Sequence, residues 1–310
     1  MLEADSRIMP ELELHECGCP YCGQADWRPY QNAKLSKGLT YVQCLTCHLV
    51  YVNSRLDQEG LDARASSHYE NYEPTFPAAA VKVDTDIKAI IRQFRWELGF
   101  LEPFLPISKE SGLKVLEVGC NEGSFLAGLK GLGCEVTGVE PDPTMASAAR
   151  DRGLNVAQEL FRPGIPLPVG NFDLIIFRES LYHFFDLKQT LNLARDLLAD
   201  NGYIYIKCFN VESLAIRNFT VASSGINGID IPSNFSPQSL GHILDDSGFR
   251  VLDRLGFLEA PVGGYAMRWR IIQSRALRYP RDVVNRILSY GLIRTKKNRN
   301  FAVIAQKNTS

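Results

Sequence analysis

The sequence predicts an α/β fold, in which a doubly wound sheet of mainly parallel strands follows a small cysteine-rich segment. Between about residues 113 and 210, apolar runs that suit strands buried on both faces alternate with helical segments. A glycine loop follows the first of these runs. Two C-x-x-C pairs near the start of the chain indicate a separate small lobe.

The composition is that of a soluble globular protein, with 45% apolar and 22% charged residues among 310. No apolar run is long enough to span a membrane, and the first residues lack the basic and apolar blocks of a secretion signal, so we expect a cytoplasmic protein. The net charge of −1 hides an uneven distribution, because residues 260–310 hold eleven Lys or Arg and one acid. That basic region is either a solvated helix face or a contact surface for an anionic partner.

The first third of the chain is divided into a leader at 1–16, a cysteine ribbon at 17–53, and a linker with an amphipathic helix at 54–103. The helix is predicted at about residues 84 to 102, because Ile87, Ile90, Phe94 and Leu98 recur at helical spacing. Residues 104–310 then form the sheet domain.

The elements of the sheet domain follow in order. Five strands are predicted by the runs LKVLEVG, CEVTGVE, LNVAQ, FDLIIF and YIYIKCFN. The helices between them are predicted by SFLAGLKGLG, PTMASAARDRG and LKQTLNLARDLLADNG, the last ending at Gly202. After an irregular excursion, Ser236 is predicted to cap a helix that ends at Gly248, and FRVLDRLGFL and NRNFAVIAQK predict the last two strands.

The loop after the first strand predicts a ligand site, since parallel sheets bind ligands at the carboxyl ends of their strands. Gly119 and Gly123 let the backbone approach a ligand closely, and the amides of the next helix point at it. The spacing G-x-x-x-G, with Glu117 before it, differs from the fingerprint of dinucleotide-binding enzymes and argues against a dehydrogenase. Glu140 ends the second strand, where such folds place an acid for ribose hydroxyls.

Four motifs, VLEVGCNEGSFL, GVEPDP, FDLIIFRESLYHFFD and LLADNGYIYIKCFN, together resemble those of class I S-adenosylmethionine-dependent methyltransferases. The resemblance implies a Rossmann-like sheet of seven strands with the last strand antiparallel, and S-adenosyl-L-methionine as cofactor. It also implies that the following residues bind the cofactor: Glu117, Gly119, Cys120, Asn121, Gly123, Glu140, Pro141, Gln158, Glu159, Arg178, Tyr69 and Tyr72.

Within that set the resemblance also implies roles. The glycine loop frames the methionine moiety, Glu140 binds the ribose hydroxyls, and Gln158 or Glu159 lies by the adenine. Tyr69 and Tyr72 either form a lid over the cofactor or pack as ordinary residues of the linker.

His183 is the candidate catalytic residue. Methyl transfer is an in-line displacement that depends mainly on alignment, and a general base is required when the acceptor must lose a proton. His183 follows the fourth strand by a few residues, and imidazole titrates near neutral pH. The alternative is a buried histidine with a satisfied hydrogen bond.

The cysteine pairs predict a structural Zn(2+) site with Cys19, Cys22, Cys44 and Cys47 as ligands. A redox disulfide pair or free buried thiols are the alternatives. A ribbon in front of this domain resembles the zinc-ribbon methyltransferases that tailor sugars and natural products. Members that methylate carbon carry a Tyr-His-Glu-His run, whereas this chain has IDIPSNFSPQSL, with Asn234 about where a catalytic histidine would stand.

These features predict an S-adenosylmethionine-dependent methyltransferase that acts on a small hydroxylated metabolite, such as a sugar, a nucleotide-sugar or a natural-product intermediate, at oxygen or nitrogen rather than carbon. One alternative is an RNA methyltransferase whose ribbon and basic C-terminal region hold phosphates. Another is a ribbon-bearing binding module without activity. The basic segment is also compatible with a membrane surface, although Pro280 interrupts it.

Overall fold

The computed structural model describes residues 13–34, 39–67, 86–108, 111–213, 228–257 and 300–308. Predictions on Tyr69, Tyr72, most of the leader and the basic segment 260–299 lie outside the described residues. Within the described ranges, no helix has both the length and the apolar character needed to cross a bilayer.

Strands and helices alternate through most of the described chain. The strands are β1 (His15–Glu16), β2 (Trp27–Lys34), β3 (Thr40–Cys44), β4 (Val50–Val52), β5 (Ser54–Arg55), β6 (Lys114–Val118), β7 (Glu135–Val139), β8 (Asn155–Ala157), β9 (Phe172–Arg178), β10 (Leu198–Phe209), β11 (Ser233–Asn234), β12 (Phe249–Phe257) and β13 (Asn300–Lys307). The helices are α1 (Gln58–Ser66), α2 (Ile87–Gln93), α3 (Arg95–Leu101), α4 (Ser124–Gly131), α5 (Pro143–Asp151), α6 (Leu187–Leu197) and α7 (Pro237–Asp246).

Seven strands form the large sheet in the order β12-β13-β10-β9-β6-β7-β8. The strands β6 to β10 pair in parallel, whereas β13 runs antiparallel to both of its neighbours. This arrangement confirms the predicted doubly wound α/β fold with an antiparallel last strand. Strand β6 lies between β7, which follows it along the chain, and β9, which comes later. The strand order therefore reverses at β6, and a crevice opens at the carboxyl ends of these strands.

The central strands are buried on both faces. Leu116 and Ile175 belong to one core cluster, whereas Val115 and Ile176 belong to the cluster on the opposite face. The first cluster continues into the ribbon, whose buried side chains include Tyr51. The ribbon and the sheet domain therefore share one hydrophobic core.

The ribbon is a four-stranded sheet in the order β11-β4-β3-β2, and its edge strand comes from more than 180 positions later in the chain. The Tyr41 hydroxyl donates to the Ile231 carbonyl at 3.1 Å, and the Val52 amide donates to the Pro232 carbonyl at 2.9 Å. At the other end of the ribbon, the Tyr21 hydroxyl lies 2.5 Å from an Asp246 carboxylate oxygen.

Two predicted elements differ from the observed ones. The helix expected at 84 to 102 is divided at Phe94, which ends α2, begins α3, and packs its ring edge-to-face on Phe125 at 5.1 Å. The helix expected to end at Gly202 instead ends at Leu197. Leu198 pairs with Phe172 in the sheet, so strand pairing overrides the local helical pattern there.

Candidate functional site

A cavity of about 540 Å³ opens at the carboxyl ends of β6, β7 and β9. Most of the residues predicted for the site lie on its wall: Glu117, Gly119, Cys120, Asn121, Glu140, Pro141, Arg178 and His183. Gly123 caps the amino terminus of α4 directly after this loop. The structure thus brings residues from three strand ends around one cavity.

The glycine loop requires its glycines. Gly119 has φ of 72°, and a Cβ added there would lie 2.8 Å from the Cβ of Ser180. Gly123 has φ of 77°, and its added Cβ would lie 2.4 Å from a methyl carbon of Leu154. Any larger residue would be strained in backbone and would also collide. The two glycines therefore let the loop backbone pack directly against Ser180 and Leu154.

Two buried carboxyl groups face this loop. Glu140 accepts hydrogen bonds from the amides of Asn121, at 2.8 Å, and Asp142, at 3.0 Å, and burial raises its pKa to about 7. Burial raises the pKa of Glu117 to about 8, although the charge of Arg178 opposes the shift. One oxygen of Glu117 is buried without a hydrogen-bond partner among the described residues. A buried acceptor on a cavity wall fits a ligand that brings a donor, such as an ammonium group.

Arg178 is held by a group that the sequence reasoning did not identify. Glu97 of α3 accepts from the Arg178 Nε at 3.2 Å, from the Tyr205 hydroxyl at 2.9 Å and from the Lys207 Nζ at 3.3 Å. The guanidinium also stacks over the ring of Phe94, 4.7 Å from its centroid. Burial opposes the charge of Arg178, but the surrounding acidic groups, Glu97 first and then Glu117, together outweigh burial and raise the pKa of Arg178. Burial likewise opposes the charge of Glu97, but Arg178 and Lys207 outweigh it and lower the pKa of Glu97.

His183 lies in a 3-10 turn, Leu181–His183, after β9. Its Nδ1 is hydrogen-bonded to the backbone carbonyl of Asp230. A carbonyl can only accept, so Nδ1 carries the hydrogen, and in the neutral imidazole Nε2 then has the lone pair. His183 is thus presented in the tautomer that a base at Nε2 requires.

Some predicted residues are placed elsewhere. Gln158 and Glu159 are exposed and do not line the cavity, whereas the neighbouring Leu160 and Phe161 do. The adenine contact of Gln158 or Glu159 stays a prediction. Helix α1 contributes wall residues that no motif indicated, among them Arg64.

The four predicted metal ligands form a compact cluster. The sulfur atoms of Cys19, Cys22, Cys44 and Cys47 all lie within 4.8 Å of one another. The sulfurs of Cys19 and Cys47 are 3.4 Å apart, and those of Cys22 and Cys44 are 3.5 Å apart. Zinc bonds of ~2.3 Å in a tetrahedron place sulfurs ~3.8 Å apart, so the donor set fits a zinc site with four cysteine ligands.

The contact between the Cys19 and Cys47 sulfurs shifts the pKa values of these two thiols in opposite directions. A hydrogen bond from Cys47 lowers the pKa of Cys19 to about 6, whereas that hydrogen bond and burial raise the pKa of Cys47. Cys17 lies outside the cluster, where the Arg55 Nε donates to its sulfur at 2.8 Å.

Comparisons with known proteins agree with this geometry. Residues 91–254 match the model of a family described as a methyltransferase domain. The chain is similar to the mitochondrial ubiquinone biosynthesis O-methyltransferase of Bos taurus, at 27% identity over 54% of this chain and 49% of that protein. It is also similar to the ubiquinone biosynthesis O-methyltransferase of Ruegeria pomeroyi, at 24% identity over 69% of this chain and 87% of that protein. The chain spans about half the length of the mitochondrial relatives it matches.

Solved structures share the fold. A SAM-dependent methyltransferase from Archaeoglobus fulgidus aligns with a TM-score of 0.51 at 21% identity, covering 77% of this chain and 100% of that one. The 1,6-didemethyltoxoflavin-N1-methyltransferase of Burkholderia thailandensis, solved with S-adenosylhomocysteine bound, aligns with a TM-score of 0.50 at 14% identity, covering 92% of this chain and 100% of that one.

Proposed function

The chain belongs to the S-adenosylmethionine-dependent methyltransferases through its methyltransferase domain, and from this membership we propose that it methylates an oxygen or nitrogen of a small hydroxylated metabolite. The observation that carries the proposal is the single cavity that joins the glycine loop, Glu117 and Glu140 to His183.

The cofactor is proposed to lie along the loop. The unpartnered oxygen of Glu117 would pair with its ammonium group, and Glu140 would accept from its ribose hydroxyls. Each Glu140 oxygen already accepts one backbone amide, which fixes the carboxylate and leaves it further lone pairs. When bound, S-adenosylmethionine supplies a methyl group whose bond to the positively charged sulfur breaks as the acceptor attacks, leaving a neutral thioether.

His183 is proposed as the general base. Its Nε2 would take the proton from an acceptor hydroxyl while the acceptor oxygen attacks. The wall around it is mixed in character, with the ring of Tyr182 stacked on Phe209 at 5.4 Å and the charged side chains of Arg64 and Asp230 nearby. Such a wall suits a small acceptor with an apolar face and hydroxyl groups.

The similar proteins whose names state an activity support an acceptor of this kind. The relatives are named for O-methylation in ubiquinone biosynthesis, and the Burkholderia structure is named for N-methylation of a small molecule. An RNA acceptor remains the second candidate on one observation, the eleven Lys or Arg of residues 260–310, most of which lie outside the described residues. RNA binding would weaken steeply with salt, whereas capture of a small neutral acceptor would not.

The cysteine cluster is proposed to hold a structural zinc ion. Four thiolate ligands leave no open position on the metal, so the ion would stabilise the ribbon and take no part in methyl transfer.

The test of the cofactor site is a calorimetric titration of the purified chain with S-adenosylhomocysteine. Glu140→Ala should weaken binding by about 1 to 3 kcal/mol, because hydrogen bonds to a charged acceptor are lost. Glu135→Ala is the matched control, since Glu135 is the exposed residue at the other end of the same strand. Equal affinities for the two variants would refute the ribose assignment.

The test of the acceptor class measures S-adenosylhomocysteine release with three probes: simple dihydroxyphenols, nucleotide sugars and total transfer RNA. Turnover with either small-molecule class and none with RNA is expected. Turnover with RNA alone would replace the proposal by its alternative.

A further inference from the structure

The segment before β11 connects the candidate base to the rest of the molecule. The carbonyl of Asp230 accepts from His183, and the carboxylate of Asp230 forms an ion pair with Arg64 of α1. The side chains of Arg64 and Asp230 are only 19% and 10% exposed. One residue thus contacts both the imidazole and helix α1, which also lines the cavity.

This segment is also fixed from the other side. Directly after Asp230, the Ile231 and Pro232 carbonyls accept hydrogen bonds from the ribbon, and β11 pairs with β4. The ribbon therefore fixes the backbone at 231–234, whereas the Arg64 ion pair fixes the side chain of Asp230. Together they determine where the carbonyl that receives the Nδ1 hydrogen lies.

We propose that Arg64 and Asp230 are positioning residues for His183, which hold it in the Nδ1–H tautomer with Nε2 toward the acceptor. The inference rests on the proposed function, because it explains how the general base proposed there is held in place. The ion pair keeps the Asp230 peptide in place, and a fixed carbonyl is what selects one tautomer of an imidazole.

The pair also controls the charge next to the imidazole. Arg64→Gln removes the positive charge beside the Asp230 carboxylate, which favours the imidazolium and raises the pKa of His183. Asp230→Asn leaves the Arg64 cation uncompensated, which lowers that pKa. The double variant is neutral again and should bring the pKa back toward the wild-type value.

The other charged groups that the described residues place on the cavity wall or in contact with it stay unchanged in these variants. Three pairs balance each other: Asp62 with Arg162, Arg178 with Glu97, and Lys207 with Glu179. Glu117, Glu122 and Glu140 line the cofactor side of the cavity, and the Tyr182 ring contacts the imidazole itself. Opposite shifts in the two single variants would therefore report the Arg64–Asp230 pair.

The experiment is ¹⁵N NMR of the full chain with labelled imidazoles, which reads tautomer and pKa without an acceptor. The chain has five histidines, so the His183 signals are assigned by their loss in His183→Asn. Wild type should show the Nδ1–H tautomer, and the two single variants should show mixed tautomers and opposite pKa shifts. Lys188→Gln is the control, because it breaks a half-exposed ion pair with Asp246, and neither residue lines the cavity.

An Nε2–H tautomer in wild type, or a tautomer and pKa unmoved by both single variants, would overturn the inference. A kinetic cycle separates this failure from failure of the proposed base. With an acceptor from the probe panel, His183→Asn should lower kcat about 100-fold and Arg64→Gln about 10-fold, but Arg64→Gln should add nothing in the His183→Asn background. If His183→Asn alone hardly lowers kcat, His183 is not the general base. If the losses in kcat from His183→Asn and Arg64→Gln multiply in the double variant, Arg64 does not act through His183.

Discussion

Glu117 and Glu140 give the protein a dependence on pH that can be measured without substrate. Burial raises their pKa values from near 4.5 to about 8 and about 7. At a pH between the unfolded and folded pKa values, these carboxyl groups are protonated in the folded chain but ionised in the unfolded chain. The free energy of unfolding therefore falls as the pH rises from about 5 to about 8.

Glu117→Gln keeps a neutral group at that position and should flatten this dependence. Urea unfolding at pH 5 and pH 8 measures it: the midpoint of wild type should drop more than that of the variant. Glu135→Gln, at an exposed position, should behave as wild type. A variant that loses as much stability as wild type would show that Glu117 is already ionised at pH 5.

Gly119 allows a second prediction. Its control separates the backbone strain of a positive φ from the steric clash of an added Cβ. Gly119→Ala combines a positive φ with a contact 2.8 Å from Ser180, whereas Gly112 has φ of 55° and nothing within 4 Å of an added Cβ. Gly112→Ala should cost about 1 kcal/mol of stability and leave ligand binding intact. Gly119→Ala should in addition weaken S-adenosylhomocysteine binding at least 10-fold by calorimetry, because the loop must move; equal binding in both variants would contradict this.

Individual site residues were predictable where they follow an apolar strand. Glu117 and Glu140 stand at strand ends, where an acid is conspicuous in the sequence, and the structure places both on the cavity wall. Glu97, Arg64 and Asp230 come from a helix face and a loop far away along the chain, and no local pattern distinguishes them from surface charges. Their partners are visible only after the chain has folded.

The cysteine ribbon is the element in which the proposed zinc ion can be tested. We expect about one zinc ion per chain by elemental analysis, and Cys44→Ser should lose it and lower the melting temperature. Cys134→Ser is the matched control, since Cys134 is a buried thiol outside the cluster. A full zinc content in Cys44→Ser would remove Cys44 from the ligand set.

Elements whose apolar residues recur at helical or strand spacing were predicted well from the sequence. Elements that form only because they pair with a neighbouring strand were not. The strands of the sheet and the capped helix α7, with Ser236 at its N-cap and Gly248 after its end, follow the sequence closely. The two-residue strand β11 carries no period of its own, and only its partner β4 makes it a strand. The extension of β10 back to Leu198 is likewise fixed by pairing with Phe172 rather than by local preference.

The shared core predicts how the whole molecule unfolds. Because ribbon and sheet-domain side chains belong to one cluster, we expect zinc release and loss of far-UV circular dichroism to occur at the same urea concentration. Tyr21→Phe should lower that common midpoint, since it removes the hydrogen bonds that the buried Tyr21 hydroxyl donates to the Ile243 carbonyl and the Asp246 carboxylate. Zinc release well before loss of the circular dichroism signal would show two independent units.

The late strand at the edge of the ribbon has a practical consequence for protein engineering. Consider a chimera in which residues 1–53 are replaced by the ribbon of another enzyme. The new ribbon would have to pair with an edge strand that it did not evolve with, because Ser233 and Asn234 of this chain would remain in place. A successful graft must transplant both segments together, so in this architecture the unit of recombination is discontinuous along the gene.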